Sequence, residues 1–221
     1  MTIKNYIKNK KVKHFTANNI EIFIKDEVPE GVSVKNVVMA LSKRIPDHLM
    51  RNIDSIYVGQ FKFLKDREMQ AAYENSSIFV TNEQDNESDM VDDMIHEVAH
   101  SVEELYMDFL YSDKKLEDEF INKRKIMWAK LKDRGYSVDL AKFLNPEYDR
   151  EFDEFLYNDV GYPILSALAS NIFHSPYAAT SLSEYFADGF EAFYMNDEIS
   201  RLKNESPKLY YKIIGLLEDQ Q

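Results

Sequence analysis

The stretch Asp92-Asp93-Met94-Ile95-His96-Glu97-Val98-Ala99-His100 constrains this chain more than any other. Around it Val91, Met94, Ile95, Val98, Val102, Leu105 and Phe109 recur at steps of three and four, which predicts a helix with one apolar stripe. At about 100° per residue, His96 and His100 project from nearly the opposite side, one above the other. Asp93, Glu103 and Glu104 fall near them. Asn86 or Ser88 can cap the helix, and Asp89 suits its first turn. Two imidazoles at this spacing can bind one metal ion, and Glu97, directly after the first, is placed to act on a water there. The plain alternative is an amphipathic helix whose polar side happens to carry His, Glu and His.

Zinc in hydrolases takes three protein ligands and leaves one position open. The chain has no cysteine, so the third ligand is His, Glu or Asp. In Ser181-Leu182-Ser183-Glu184-Tyr185-Phe186-Ala187-Asp188-Gly189-Phe190-Glu191-Ala192-Phe193-Tyr194 the apolar residues Leu182, Tyr185, Phe186, Phe190, Phe193 and Tyr194 form the buried stripe of a second helix. Glu184, Asp188 and Glu191 lie on its other side. Glu184 is the candidate ligand, and Asp188, one turn on, is a candidate acceptor for a ligand histidine's N–H. Ser181-x-x-Glu184 also reads as a capping box, which needs no metal. His174, before a proline in a loop, is a rival ligand. His14 and His48 read as ordinary surface or partly buried residues.

With these residues in hand, the chain resembles a known family. Tyr177-Ala-Ala-Thr-Ser-Leu-Ser-Glu184-Tyr-Phe-Ala-Asp-Gly-Phe looks like the second motif of the zinc peptidases typified by anthrax toxin lethal factor, whose fold the clostridial Pro-Pro endopeptidases share. In that family a Tyr precedes the ligand Glu by seven residues, as Tyr177 precedes Glu184. The resemblance covers residues 30 to 110 and 160 to 217 and is strongest at the two motifs. It implies a zincin-like peptidase with one catalytic zinc on His96, His100 and Glu184, Glu97 as general base and Tyr177 as electrophilic helper. Asp188 departs from the pattern, standing where lethal factor has Glu. Glu184 follows His100 by 84 residues, which implies an insertion.

The rest of the chain supplies the frame. Val12–Thr16 and Ile20–Ile24 read as strands joined at Ala17-Asn18-Asn19, and Pro29-Glu30-Gly31 as a turn. Ser33 caps a helix through Arg44, Pro46 to Leu49 starts another helical piece, and Ser55 to Phe61 is a strand. Ala71 to Ser77 turns into a strand at Ile78–Thr81, the expected edge for a peptide or protein substrate bound in extended form; an ordinary short edge strand reads equally well. Lys115 to Arg134 is helical and ends at Gly135. Short helices follow from Ser137 to Leu144 and from Asn145-Pro146, read together as a helical hairpin packed on the domain with solvated charged faces, or as a lid or recognition arm over the cleft. A helix from Val160 to Asn171 is interrupted near Gly161 and Pro163, and a last helix after Ser206-Pro207 buries Tyr210, Ile213, Ile214 and Leu217.

These elements give an α+β chain, a mostly helical single domain that the resemblance implies to be zincin-like. Its parts are a small N-terminal mixed sheet with helices (1–81), the active-site helix (82–111), a helical insertion (112–158) and a C-terminal helical part with the third ligand (159–221). A net charge of −12 and a pI near 4.9 speak against nucleic acid and against an anionic membrane as partners. No apolar run reaches membrane-spanning length, and Met1–Lys13 reads as a solvated arm and not a secretory signal. With no cysteine, the chain is expected in the cytoplasm or released without a signal peptide. The functional expectation is a zinc-dependent endopeptidase. The alternatives are a zinc-binding interaction protein that keeps the fold without catalysis, and a processing protease with one protein substrate.

Overall fold

Two dipeptides shape the ends of the sheet. Asn18 and Asn19 (φ 48° and 63°) and Asn75 and Ser76 (φ 50° and 57°) occupy the left-handed region. Two such residues in succession make the tight turn whose twist suits paired strands. So β1 (Lys13–Ala17) folds back on β2 (Ile20–Ile24), and β4 (Ala71–Glu74) on β5 (Ser77–Val80). Between the hairpins, β3 (Ser55–Val58) runs parallel to β2 and β5, giving the order β1-β2-β3-β5-β4. The computed structural model describes residues 12–196 and 199–218, so most of the arm read at Met1–Lys13 lies outside the described residues. The protein is an α+β chain with this mixed sheet and, among the described residues, ten α-helices. None of those helices is long and apolar enough to cross a membrane. The chain divides into two compact units, Met1–Leu105 and Tyr106–Gln221.

In the first unit the two faces of the sheet differ in chemistry. Ile22, Ile56 and Ile78 are register partners on one face and almost wholly buried. On the other face His14, Phe23, Tyr57 and Phe79 are register partners, and their rings stack in series at 4.7, 5.1 and 5.0 Å. Such cross-strand aromatic pairs add to simple burial. Helix α1 (Val34–Arg44) starts at Ser33, whose hydroxyl accepts from Asn36 N at 3.4 Å. The short α2 (Lys62–Asp66), which has no pattern of its own in the sequence, carries Phe63; that ring and Phe61 meet Phe79 edge-on at 5.4 and 5.3 Å. Helix α3 (Glu87–Tyr111) is capped by Asn86, whose Oδ1 accepts from Ser88 N and Asp89 N at 2.8 and 3.1 Å.

Two expectations change here. Ile78–Thr81 is not an edge: β5 pairs with β3 on one side and β4 on the other. Its unbroken apolar run Ile78-Phe79-Val80 is that of a strand covered on both faces. The outer strand on that side is β4, where Ala71 and Ala72 are buried, Tyr73 half-buried and Glu74 exposed. The stripe of α3 also departs from plan. It is buried at Val91, Met94, Ile95, Val98 and Val102, then continues through Tyr106 and Leu110, leaving Leu105 38 % exposed. The helix is irregular at Tyr106 (φ −114°, ψ 23°), which is where the first unit ends and the second begins.

The second unit is built on α4 (Lys115–Asp133), α5 (Leu140–Leu144), α6 (Arg150–Glu154), α7 (Tyr162–Ala169), α8 (Leu182–Met195), α9 (Ile199–Glu205) and α10 (Pro207–Leu216). A π-helical turn, Phe155–Val160, follows α6. The segment expected to be a helical hairpin packed on the domain does pack, α4 lying on α5, α7, α8 and α10, but its charges are not all solvated. Arg124 is 1 % exposed, lies 4.2 Å over the Phe152 ring, and donates to Lys142 O and Asn145 O at 2.7 Å each. It thereby satisfies carbonyls at the end of α5. Burial pulls its guanidinium pKa down to about 10. α5 and α6 start later than expected because Asp139 and Asp149 cap them, accepting from Ala141 N and Phe152 N. In α10 the buried residues are Leu209, Ile213 and Leu216, while Leu217 is exposed and Tyr210 and Ile214 are half-buried. That phase follows from Glu119, whose carboxylate accepts from Lys208 N and Leu209 N and so turns Leu209 inward.

α8 and α10 touch closely at Gly189. A Cβ built there would stand 2.2 Å from Leu209 Cδ2 and 2.9 Å from its Cγ, and Leu209 is itself 1 % exposed. Gly189→Ala gains about 1 kcal/mol of helix propensity. It loses about 1–3 kcal/mol to overpacking. A net loss, read as a lower urea midpoint with unchanged slope, is the expected outcome; a rise in midpoint would contradict the tight contact.

Candidate metal centre

The candidate metal ligands sit on helices α3 and α8. On α3 the rings of His96 and His100, one turn apart, have centroids 5.2 Å apart at 71°. Both residues are half-buried, whereas Glu97 is only 6 % exposed. The burial of Met94, Ile95, Val98 and Ala99 around them holds this turn rigidly. On the third side of the turn, a Glu103 carboxylate oxygen lies 3.5 Å from His100 Nδ1.

Glu184 sits in the first turn of α8. Ser181 Oγ accepts from Glu184 N at 3.1 Å, so the cap uses the backbone of Glu184. His96, His100 and Glu184 each offer one ligand atom, and these atoms all lie within 4.8 Å of one another. A tetrahedral ion with bonds near 2.0–2.2 Å sets its ligands ~3.4 Å apart, so two imidazoles and a carboxylate at this spread need only small adjustments to close on one ion. The donor set therefore fits a divalent metal. His174, the rival ligand, is not in this group; it is half-buried, and its Nδ1 is buried without a hydrogen-bond partner. His14 pairs with Glu21, and His48 lies half-buried in the 3₁₀ turn Asp47–Leu49.

Tyr177 opens the 3₁₀ turn Tyr177–Ala179 ahead of α8. Its side chain hydrogen-bonds to Glu184. The residue as a whole is 40 % exposed, but desolvation of the phenol end first, and then the charges of Glu184 and Asp153, raise its pKa above the ordinary tyrosine value, so the hydroxyl remains a neutral donor. Asp153 in turn accepts from Tyr148 Oη at 3.1 Å. Asp188, one turn beyond Glu184, is 6 % exposed. The sequence reading did not assign roles to Glu103 or to the Tyr148–Asp153 pair. The spacing of Glu103, three residues beyond His100 on a helix, is the signal that finds the former.

Comparison of the chain with protein-family models, with curated proteins and with solved structures finds no match.

The state of Tyr177 is directly measurable. A free phenol ionises near pH 10, so tyrosinate absorbance in alkaline titration should include a late component, shared with Tyr73, Tyr185 and Tyr194, that Tyr177→Phe reduces by one phenol. By linkage, a phenol whose folded pKa is raised stabilises the fold below its unfolded pKa, and that stability falls as pH rises beyond about 10. The wild type should therefore lose more stability between pH 9 and pH 11 than Tyr177→Phe. Equal losses would contradict the burial of the hydroxyl.

Proposed function

We propose that the chain is a zinc-dependent endopeptidase of zincin-like fold, with His96, His100 and Glu184 as metal ligands and Glu97 as general base. The observation that carries this reading is the grouping of two imidazoles and a carboxylate within 4.8 Å, drawn from residues 84 positions apart. Helix α3 supports it by placing Glu97 next to the first ligand, and the lethal-factor-like motifs support the reaction class.

Zinc in such a site supplies Lewis acidity, polarising a carbonyl and making water nucleophilic near neutral pH. Glu97 takes the proton of the attacking water on its carboxylate and delivers it to the nitrogen of the leaving amine. Its low exposure keeps bulk water from competing for that proton. Tyr177, neutral and beside Glu184, donates its hydroxyl hydrogen to the developing oxyanion. The expected extended substrate moves from β5 to the outer strand β4. Thr81 N donates to Gln70 O, and by antiparallel alternation the backbone groups of Tyr73 face away from β5. Tyr73 is anchored from behind, its hydroxyl donating to Glu104 on α3 at 2.7 Å and accepting from Asn52 Nδ2 at 2.8 Å.

Zinc content by mass spectrometry and cleavage of a peptide library test this together. Glu97→Gln should keep one zinc per chain and lose about 100- to 10,000-fold in turnover. Tyr177→Phe should keep the metal and lose about 100-fold or more in turnover. His100→Ala should lose the metal and some thermal stability, because binding and folding are coupled. Cleavage that survives Glu97→Gln would remove that residue from its role, and a wild type without zinc would remove the site.

A further inference from the structure

We propose that Glu103 is a positioning residue: its carboxylate receives the N–H of His100 Nδ1 and so presents Nε2 of that ring to the metal. The proposal rests on the metal-site reading above. A neutral imidazole carries one N–H and one lone pair, and only the lone pair binds a metal. Whatever holds the N–H therefore chooses the ligand nitrogen, aims the ring and raises its basicity.

Asp92, Asp93, Glu103 and Glu104 on α3 flank the histidine pair, and three of them are told apart by their contacts. Asp93 accepts from Gln84 Nε2 at 2.8 Å. Glu104 accepts from the Tyr73 hydroxyl at 2.7 Å and lies 3.3 Å from Asn52 Nδ2. Glu103 has its Oε2 3.5 Å from His100 Nδ1. The His100 and Glu103 side chains are 21 % and 16 % exposed, so solvent screens their interaction far less than a surface pair on a helix.

The turn that carries Glu103 is also fixed. Asn52 Nδ2 reaches Ser101 O at 3.5 Å, and Ser101 Oγ donates to Val98 O at 2.7 Å. With Glu104 tied to β4 by Tyr73, the backbone at position 103 is held from both neighbouring sides. The Glu103 side chain is itself only 16 % exposed, which limits its rotamers and so helps its carboxylate orient the ring.

The test measures zinc affinity of the full chain by competition with a chromophoric chelator, together with visible spectra after cobalt(II) is added instead. Glu103→Ala should weaken zinc about 10- to 100-fold, with unchanged far-ultraviolet circular dichroism and a shifted cobalt spectrum. Glu103→Gln, whose amide oxygen still accepts from Nδ1–H, should recover part of that loss. If Glu103→Ala does not fold, Glu103→Met keeps the length of the side chain without an acceptor and should show the same weakening. Wild-type zinc affinity and an unshifted cobalt spectrum in either apolar variant would overturn the role of Glu103 while leaving the metal site standing. A wild-type chain that binds neither ion would overturn the metal site and this proposal with it.

Discussion

The burial of helix α3 is the constraint on which the candidate site depends. Met90, Val91, Met94, Ile95, Val98, Ala99 and Val102 are each at most 4 % exposed. At about 25 cal/mol per Å² of apolar surface, fully burying side chains of this kind is worth about 1.5–3 kcal/mol each, so the helix cannot rotate without losing several such terms. Rotation is what would take His96 and His100 off their common side. The apolar stripe therefore does two things at once: it builds the core of the first unit, and it fixes the direction of two imidazoles to within a rotamer. The pin at Tyr73 and Asn52 adds a polar stop at the far end of the same face.

Polar burial organises the second unit in a comparable way. Arg124 makes hydrogen bonds through both terminal nitrogens and lies over aromatic rings, and Glu119 accepts from Tyr185 Oη, Lys208 N and Leu209 N. Lys123, 7 % exposed, donates to Ile172 O, and burial lowers its pKa to about 8. Each charge reaches backbone groups that helix ends and turns leave without partners, which is where a buried charge costs least. Glu119 bonds both to Tyr185, the neighbour of Glu184, and to the start of α10, so α4 sets the phase of both helices. The packing of Gly189 against Leu209 closes the same arrangement without any polar atom.

Much of this was legible in the residues. Strand pairs turning at Asn-rich or Asn-Ser dipeptides, the Ser33, Asn86 and Ser181 caps, and the two helices bearing the candidate ligands follow from local chemistry. The order of strands did not, because an apolar triplet such as Ile78-Phe79-Val80 specifies burial and not which strands supply it. The central place of α4 was hidden by its charges: Lys123 and Arg124 read as solvated, since the carbonyls that receive them come from residues 18 to 49 positions away. The exchange of Leu105 for Tyr106 in the stripe came from an irregularity of the backbone that no side-chain pattern announces. Glu184 was legible as a candidate, but its grouping with the histidines is a property of the tertiary structure.

The first turn of α8 shows why a helix cap and a candidate metal ligand need not compete for one position. A capping box read from Ser181-x-x-Glu184 accounts for the Ser hydroxyl and the Glu amide, and the structure has that half of it. The amide is a backbone group, so the cap makes no demand on the carboxylate, and the helix N-terminus favours a carboxylate in its charged form. Tyr177, seven residues earlier, meets the same carboxylate from the preceding 3₁₀ turn. The cap then has a consequence beyond helix stability: it fixes the third residue of α8, Glu184, against Ser181. A ligand on an uncapped, fraying turn would have to be ordered by the metal itself, at the expense of affinity.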